Sequence, residues 1–411
     1  MNRQSKPSPT RLPASRTARQ QGSRTARADA ALLGGLSVDE FLRNHWQRRP
    51  LLVRAALPDI KPPFDAQALI ALAQDDSVQS RLVTSFGGRW TLAHGPFESD
   101  QVPSLTRSRW TLLVQGVNLH DDRTHELMSR FRFIPDARLD DLMISLAANQ
   151  GGVGPHLDSY DVFLIQLWGK RRWRIAPPGH DRLKPGLPLK ILEQFEPTQE
   201  WLLEPGDMLY LPPGWAHDGI AEGPCMTGSV GFRAPSRREF LREFLADAAD
   251  SPGGSDPRFG DRGRPRTARA AEVPVDLHRQ MRDWALGWRP TVASVDDFIG
   301  RFLTEPAANV FFDAPPRLNE ARFFEAGRRT GLQLDRRTRF LYRASRFHIN
   351  GESVAAPKLR PARNLLQRLA NLRQLTAHEA SQASAHPELA QLLVDWARAG
   401  WLHPVHSRKP R

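Results

Sequence analysis

Two histidines and one aspartate carry the chemistry this sequence can do. Gly151-Gly-Val-Gly-Pro-His-Leu-Asp158 sets His156 and Asp158 two residues apart, and Pro212-Pro-Gly-Trp-Ala-His217 brings a second imidazole 61 residues after the first. Side chains at i and i+2 of a strand point to one face, so an imidazole and a carboxylate at that spacing can grip one ion. A second imidazole from a distant strand completes a 2-His-1-carboxylate triad. Non-haem Fe(II) oxygenases use that arrangement to hold the metal while leaving positions open for a co-substrate and O2. His-x-Asp alone is a weak pattern, and its context strengthens it. The Gly-rich approach frees the backbone to turn, an apolar strand follows, and Gly206-Asp-Met-Leu-Tyr-Leu-Pro-Pro-Gly-Trp-Ala-His217 runs turn, strand, turn, histidine. The other histidines lack such frames; His120 and His125 in a charged loop, and His403 and His406 near the C-terminal end, read as surface residues.

A 2-oxo acid co-substrate needs a cation for its far carboxylate. Arg171 follows the His-x-Asp strand and opens Arg-Arg-Trp-Arg, where a guanidinium can bind a carboxylate bidentately. Alternation along the strand sends part of the run Lys170, Arg172 and Arg174 to solvent. Ser145 and Thr227, on the strands before and after the triad, can offer hydroxyls to the same carboxylate. For a cationic target side chain, Tyr160 shares the parity of His156 and Asp158 and can pack against it, while Asp121, Asp122 or Asp161 can pair with it.

Positioning these residues falls to short strands. From about residue 80 to 235 the chain consists of short apolar runs broken by Gly, Pro and Asp, with candidate strands at Trp110–Gln115, Asp141–Ala147, Tyr160–Trp168, Arg172–Ala176, Met208–Leu211 and Met226–Phe232. Many short strands with tight turns read as a sandwich or closed barrel, and Glu204-Pro-Gly-Asp207 is a turn that feeds the second histidine. Ser37-Val-Asp-Glu40 is a capping box before a helix that Pro50 stops, and Glu239–Ala249 and Pro274–Thr304 read as helical. The Gly-, Pro- and Arg-rich stretch at 251–269 reads as a linker. Towards the C-terminal end, Phe340–Arg346 and His348–Val354 predict a small hairpin with Asn350-Gly351 near its turn, flanked by helices at Ala362–Leu372 and Pro387–Ala399, a winged-helix shape.

Composition narrows the class. A single cysteine, Cys225, excludes a disulfide framework and a Cys-based zinc site within the chain and fits a reducing cytosol. No apolar run approaches the roughly 20 residues that span a bilayer, so no membrane association is expected. The formal charge of +13 points towards an anionic partner. Part of it is local, because residues 1–30 hold seven basic residues and only Asp29 as an acid. That tail, residues 1–32, is expected to be disordered. It can be a solvated tail, an arm making weak RNA contact, or a transit peptide, the last opposed by Pro7, Pro9 and Pro13.

Taken together, Ser37–Pro50, Phe131–Ile144, Gly154–Phe163 and Ser229–Pro235 resemble the bacterial jumonji-C ribosomal oxygenases, and the likeness extends over almost everything after residue 33. The resemblance implies a mainly β fold with added helices. Its parts would be a double-stranded β-helix (cupin/jumonji-C) core at 33–235, a helical dimerisation region at 236–315 and a winged-helix domain at 316–411. It implies Fe(II) on His156, Asp158 and His217, with 2-oxoglutarate and O2 as co-substrates, Arg171 on the far carboxylate and Ser145 beside it. Thr227 stands where the family usually has asparagine. The implied activity is hydroxylation at C3 of one arginine in large-subunit ribosomal protein sixteen, by a cytoplasmic homodimer. The residues themselves leave open a demethylase, a histidine hydroxylase, and a non-catalytic cupin and winged-helix protein that binds nucleic acid, since a metal triad sets the reaction and the pocket sets the substrate.

Overall fold

The computed structural model describes residues 30–250 and 256–405. The expectations for residues 1–29, for 251–255 of the linker and for His406 fall outside that range. The chain forms two compact units, one through Ala234 and one from Pro235. Among the described residues, no helix is long and apolar enough to cross a membrane.

The first unit is built on β1 (Leu51–Val53), β2 (Ser80–Phe86), β3 (Arg89–His94), β4 (Trp110–Val114), β5 (Leu139–Ala147), β6 (Val162–Ala176), β7 (Gln199–Leu203), β8 (Met208–Leu211) and β9 (Ala216–Phe232). Their order is β1-β8-β6-β9-β5-β4-β2-β3, with β7 on the far half of β6, and every pair described is antiparallel. β6 and β9 each run through both halves of this nine-stranded sheet. Val162–Ile165 pairs with β8 and the end of β9, whereas Arg171–Ile175 pairs with β7 and the start of β9. The sequence predicts two strands here, and the structure instead has one that bends where its register shifts between Gln166 and Lys170. Gly169 permits the bend: its φ is +63°, and a Cβ there would lie 2.2 Å from the Pro224 carbonyl oxygen. A sheet whose two halves share their longest strands makes a double-stranded β-helix.

Alternation divides each strand between a cavity and a core. On β5, Asp141, Met143 and Ser145 line the cavity, while Leu142, Ile144 and Leu146 are fully buried on the other face. Helices close that second face. Ser37 and Glu40 cap the helix Val38–Asn44 reciprocally, as the sequence predicts, and Phe41 then stands edge-on to Tyr210 with ring centres 5.0 Å apart.

Asp161 belongs to this face. It is completely buried and accepts hydrogen bonds from the Tyr210 hydroxyl at 2.7 Å, Gln47 Nε2 at 3.0 Å and Arg138 Nη2 at 3.2 Å. The structure therefore takes Asp161 out of the substrate-pairing set. One residue from Tyr160 along an extended chain, it faces the opposite way and pins the N-terminal helical segment to the barrel.

The second unit begins with helices Arg237–Asp250, Val275–Gly287 and Val292–Thr304. The first and third pack through Phe240, Phe244, Phe298 and Phe302, and Arg301 grips Asp247 with two hydrogen bonds of 2.6 and 2.8 Å. Six short strands follow: β10 (Leu332–Leu334), β11 (Phe340–Arg343), β12 (Arg346–Ile349), β13 (Glu352–Ala355), β14 (Gln374–Leu375) and β15 (Leu402–Pro404). β10 lies between β14 and β15, and helices Arg360–Leu372, Ala377–Ser384 and Pro387–Arg398 contribute to the core beside them. Where the sequence predicts one hairpin, β11, β12 and β13 form a three-stranded meander. Asn350-Gly351 joins its second and third strands, and Ala344-Ser345 joins the first two, with left-handed φ at Ala344 and Asn350.

Replacing Asp161 with alanine leaves the Tyr210 hydroxyl and Arg138 without their buried acceptor. Urea unfolding of Asp161→Ala should show a loss of about 3 kcal/mol with no change in divalent-metal affinity; lost metal binding with unchanged stability would return Asp161 to the cavity.

Candidate metal and co-substrate site

His156 and Asp158 do not lie on a regular strand. They occupy an extended stretch ahead of β6 that is tied to the barrel by a bridge, His156 N to His217 O and His217 N to His156 O, both 3.0 Å, and by Gly214 N donating to Asp158 O at 2.8 Å. His217 is the second residue of β9, so the imidazoles face each other across that bridge, ring centres 4.2 Å apart. One ligand atom from each of His156, Asp158 and His217 fits within 4.8 Å of the other two. His217 Nε2 is 3.6 Å from Asp158 Oδ2.

Backbone carbonyls set the tautomers. His156 Nδ1 lies 2.9 Å from the Gly154 oxygen and His217 Nδ1 lies 3.0 Å from the Trp215 oxygen, so each Nδ1 donates its proton and each Nε2 keeps a free lone pair. Burial, and then the neighbouring His156, push the His217 imidazole down to about 4. It is therefore neutral at physiological pH, the form that ligates a metal.

Arg171 is buried in the same cavity, with Nη1 donating to Ser145 Oγ at 3.1 Å. Among the described residues, its Nε and Nη2 have no acceptor. A buried guanidinium with two idle donors is costly, and a carboxylate entering the cavity satisfies both at once. Alternation sorts its neighbours as expected: Arg172 pairs with Glu200 and Glu222, Arg174 with Asp218, and Lys170 with Glu204. Between Arg171 and His217 stands Trp173, which requires Gly219 opposite, because a Cβ there would lie 2.7 Å from the indole.

The cavity holds about 560 Å³ and is lined by His156, Asp158, His217, Arg171, Ser145 and Tyr160 among others. Tyr160 stands at its mouth, 39% exposed; burial, and then the carboxylates of Asp158 and Asp141, hold its phenol well above the usual range. Three other sequence candidates are placed elsewhere. Thr227 faces the same side as Ser145, but its hydroxyl donates to Gln166 Oε1 at 3.0 Å. Asp121 caps the helix Asp122–Ser129, accepting from Thr124 N at 3.0 Å, and Asp122 belongs to that helix's first turn; neither lines the cavity. The acids that do line it besides Asp158 are Asp140 and Asp141, which the sequence reading missed. The signal was available for Asp141, four residues before Ser145 and so on the same strand face.

The sequence matches the JmjC domain family over residues 126–240 and the ROXA-like winged helix family over residues 287–403. It is 35% identical over 372 residues to the ribosomal protein uL16 3-hydroxylase of Escherichia coli K12, covering 89% of this chain and 97% of that protein. The chain belongs to the JmjC ribosomal oxygenase family. A probable ribosomal oxygenase of Haemophilus influenzae is 36% identical over 212 residues, about half of each chain (51% and 52%). Among solved structures, E. coli ycfD superposes with a TM-score of 0.76 at 34% identity, covering 89% of this chain and 98% of the other. The same ribosomal oxygenase in complex with cobalt and 2-oxoglutarate superposes with a TM-score of 0.74, at the same identity and coverage.

His156→Ala should weaken Co(II) binding more than about 100-fold by calorimetry, since losing a ligand costs more than losing its supporting hydrogen bond. Arg171→Met should leave Co(II) affinity unchanged. Retained Co(II) binding in His156→Ala would show that the metal sits elsewhere.

Proposed function

We propose that the protein is an Fe(II)- and 2-oxoglutarate-dependent hydroxylase acting at C3 of an arginine in large-subunit ribosomal protein sixteen, uL16. The observation that carries this reading is one cavity holding both a His156, Asp158 and His217 ligand set and a buried arginine with two idle donors. The name of the E. coli relative supports the substrate.

In this reading His156, Asp158 and His217 are the metal ligands, and the bound Fe(II) with 2-oxoglutarate and O2 supplies oxygen insertion into a C–H bond, with succinate and CO2 as co-products. Arg171 and Ser145 hold the far carboxylate, which fixes the co-substrate's direction towards the triad. The carbonyls of Gly154 and Trp215 keep both imidazoles in the ligating tautomer. Tyr160 offers its ring face to the target guanidinium at the mouth of the cavity, and Asp141 offers its carboxylate. A ribosomal substrate puts the enzyme's work in the cytoplasm.

We assign residues 33–235 to the oxygenase domain, 236–315 to dimerisation and 316–411 to the winged helix. The helix Val275–Gly287 supports the middle assignment. It has no buried residue and exposes Met281, Trp284 and Leu286, an apolar surface that a second copy would cover.

With Fe(II), 2-oxoglutarate and O2, a uL16 peptide panel should gain one oxygen on one arginine by mass spectrometry, and Asp141→Asn should raise the peptide KM about tenfold or more while uncoupled succinate formation persists. Oxygen on a histidine, or loss of a methyl group, would replace this substrate assignment, and no succinate at all would remove the oxygenase reading. Met281→Asp with Trp284→Asp should convert a dimer to a monomer in sedimentation equilibrium; a wild-type monomer would end the dimer assignment.

A further inference from the structure

One end of the β2–β3 hairpin carries a feature that hydroxylation does not use. Phe86, the last residue of β2, is 83% exposed and pairs in register with Arg89, the first residue of β3. Arg109 is next to them, its carbonyl accepting from Ser85 N at 2.9 Å, and Arg107 lies two residues earlier. Arg89, Arg107 and Arg109 are all exposed. No acidic residue occurs from Ser77 to Phe97 or from Gln101 to His120, so the flanking chain supplies no counter-charge.

A guard against edge-to-edge strand pairing would explain Arg89, which is on the edge strand β3. It does not explain Arg107 and Arg109, which lead into β4, two strands in, nor a bare phenylalanine, which invites association. The patch is also held in shape. Arg109 Nε donates to Gln150 Oε1 at 2.9 Å, and both residues have left-handed φ, 67° and 60°. Non-glycine residues in that region cost energy and persist where surrounding contacts enforce them.

We propose that Phe86, Arg89, Arg107 and Arg109 form a docking surface for single-stranded RNA, with a base stacked on the phenyl ring and phosphates on the guanidinium groups. An exposed aromatic ring near arginines that have no ion pair among the described residues is the arrangement that binds unpaired nucleic acid with little sequence preference. The choice of RNA over DNA rests on the ribosomal substrate proposed above. Phe86 and Arg89 share a strand face with Thr84 and Thr91, whereas Arg81 and Leu92 of the same hairpin line the cavity from the opposite face.

The test is fluorescence anisotropy of the full chain with a labelled unstructured RNA of about 12 nucleotides, across a salt series, without metal or 2-oxoglutarate. Failure of hydroxylation would therefore leave the result standing. Phe86→Ala should weaken binding about fivefold or more, and ultraviolet cross-linking should mark Phe86 in the wild type. Arg89→Ala with Arg107→Ala should flatten the slope of log affinity against log salt by about 1.4, or 0.7 per lost phosphate contact. Unchanged melting temperatures would exclude misfolding as the cause. Wild-type binding that neither variant alters would place RNA on other basic surfaces and overturn the proposal. Variants that leave RNA affinity unchanged and raise only the peptide KM would assign the patch to the protein substrate instead.

Discussion

The register of β6 against β9 is the constraint on which the site depends. Ile175 lies opposite His217, Trp173 opposite Gly219 and Arg171 opposite Ala221. That pairing places Arg171 four residues along the strands from His217, a rise of about 13 Å, with the long arginine side chain turned back over Trp173. A slip of one residue would turn Arg171 to solvent and Arg172 inward. The register is protected on both sides. Burial of Ile175 and Leu203 in an apolar cluster with Trp173 penalises a slip, and the ion pairs of Arg172 with Glu200 and Glu222 on the outer face exist in this alignment alone.

The cavity is prepared for ligands it must charge-match. Two imidazoles donate to carbonyls two residues upstream, so the same local geometry is repeated at His156 and His217 on opposite sides of one bridge. Arg171 is buried with one hydrogen bond from the described chain. Such a site costs stability while empty and recovers it on binding, a common trade at functional sites. The opposite policy holds at Asp161, whose three donors all come from the chain itself. Both are buried charged side chains in the same unit. Of the two, Arg171 alone has side-chain donors with no acceptor among the described residues.

Much of this was legible in the residues. The His-x-Asp spacing, the Pro-x-Gly turn before His217, the capping box at Ser37 and the parity that puts Arg171 inward and Arg172 outward all follow from period-two and period-3.6 rules. The failures share a cause. Tyr160 and Asp161 were grouped by chemistry although adjacent residues of an extended chain face opposite ways. Asp121 offered a free carboxylate in the sequence, yet a helix start claimed it. Thr227 faces inward as expected, but Gln166, 61 residues away, takes its hydroxyl.

Local pattern thus determined which residue types could ligate a metal, where turns must fall, and which side of each strand is apolar, because these depend on covalent spacing and side-chain chemistry over a few residues. Tertiary structure decided which polar groups remain unpartnered, that β6 is one bent strand running through both halves of the sheet, and that Asp140 and Asp141 rather than Asp121 and Asp122 line the cavity. It also put Phe86 beside Arg89 and Arg109, residues separated by up to 23 positions in the chain. Hydrogen-bond satisfaction is a property of the whole packed chain: a donor is idle only when every acceptor within reach, near or distant in sequence, has been counted.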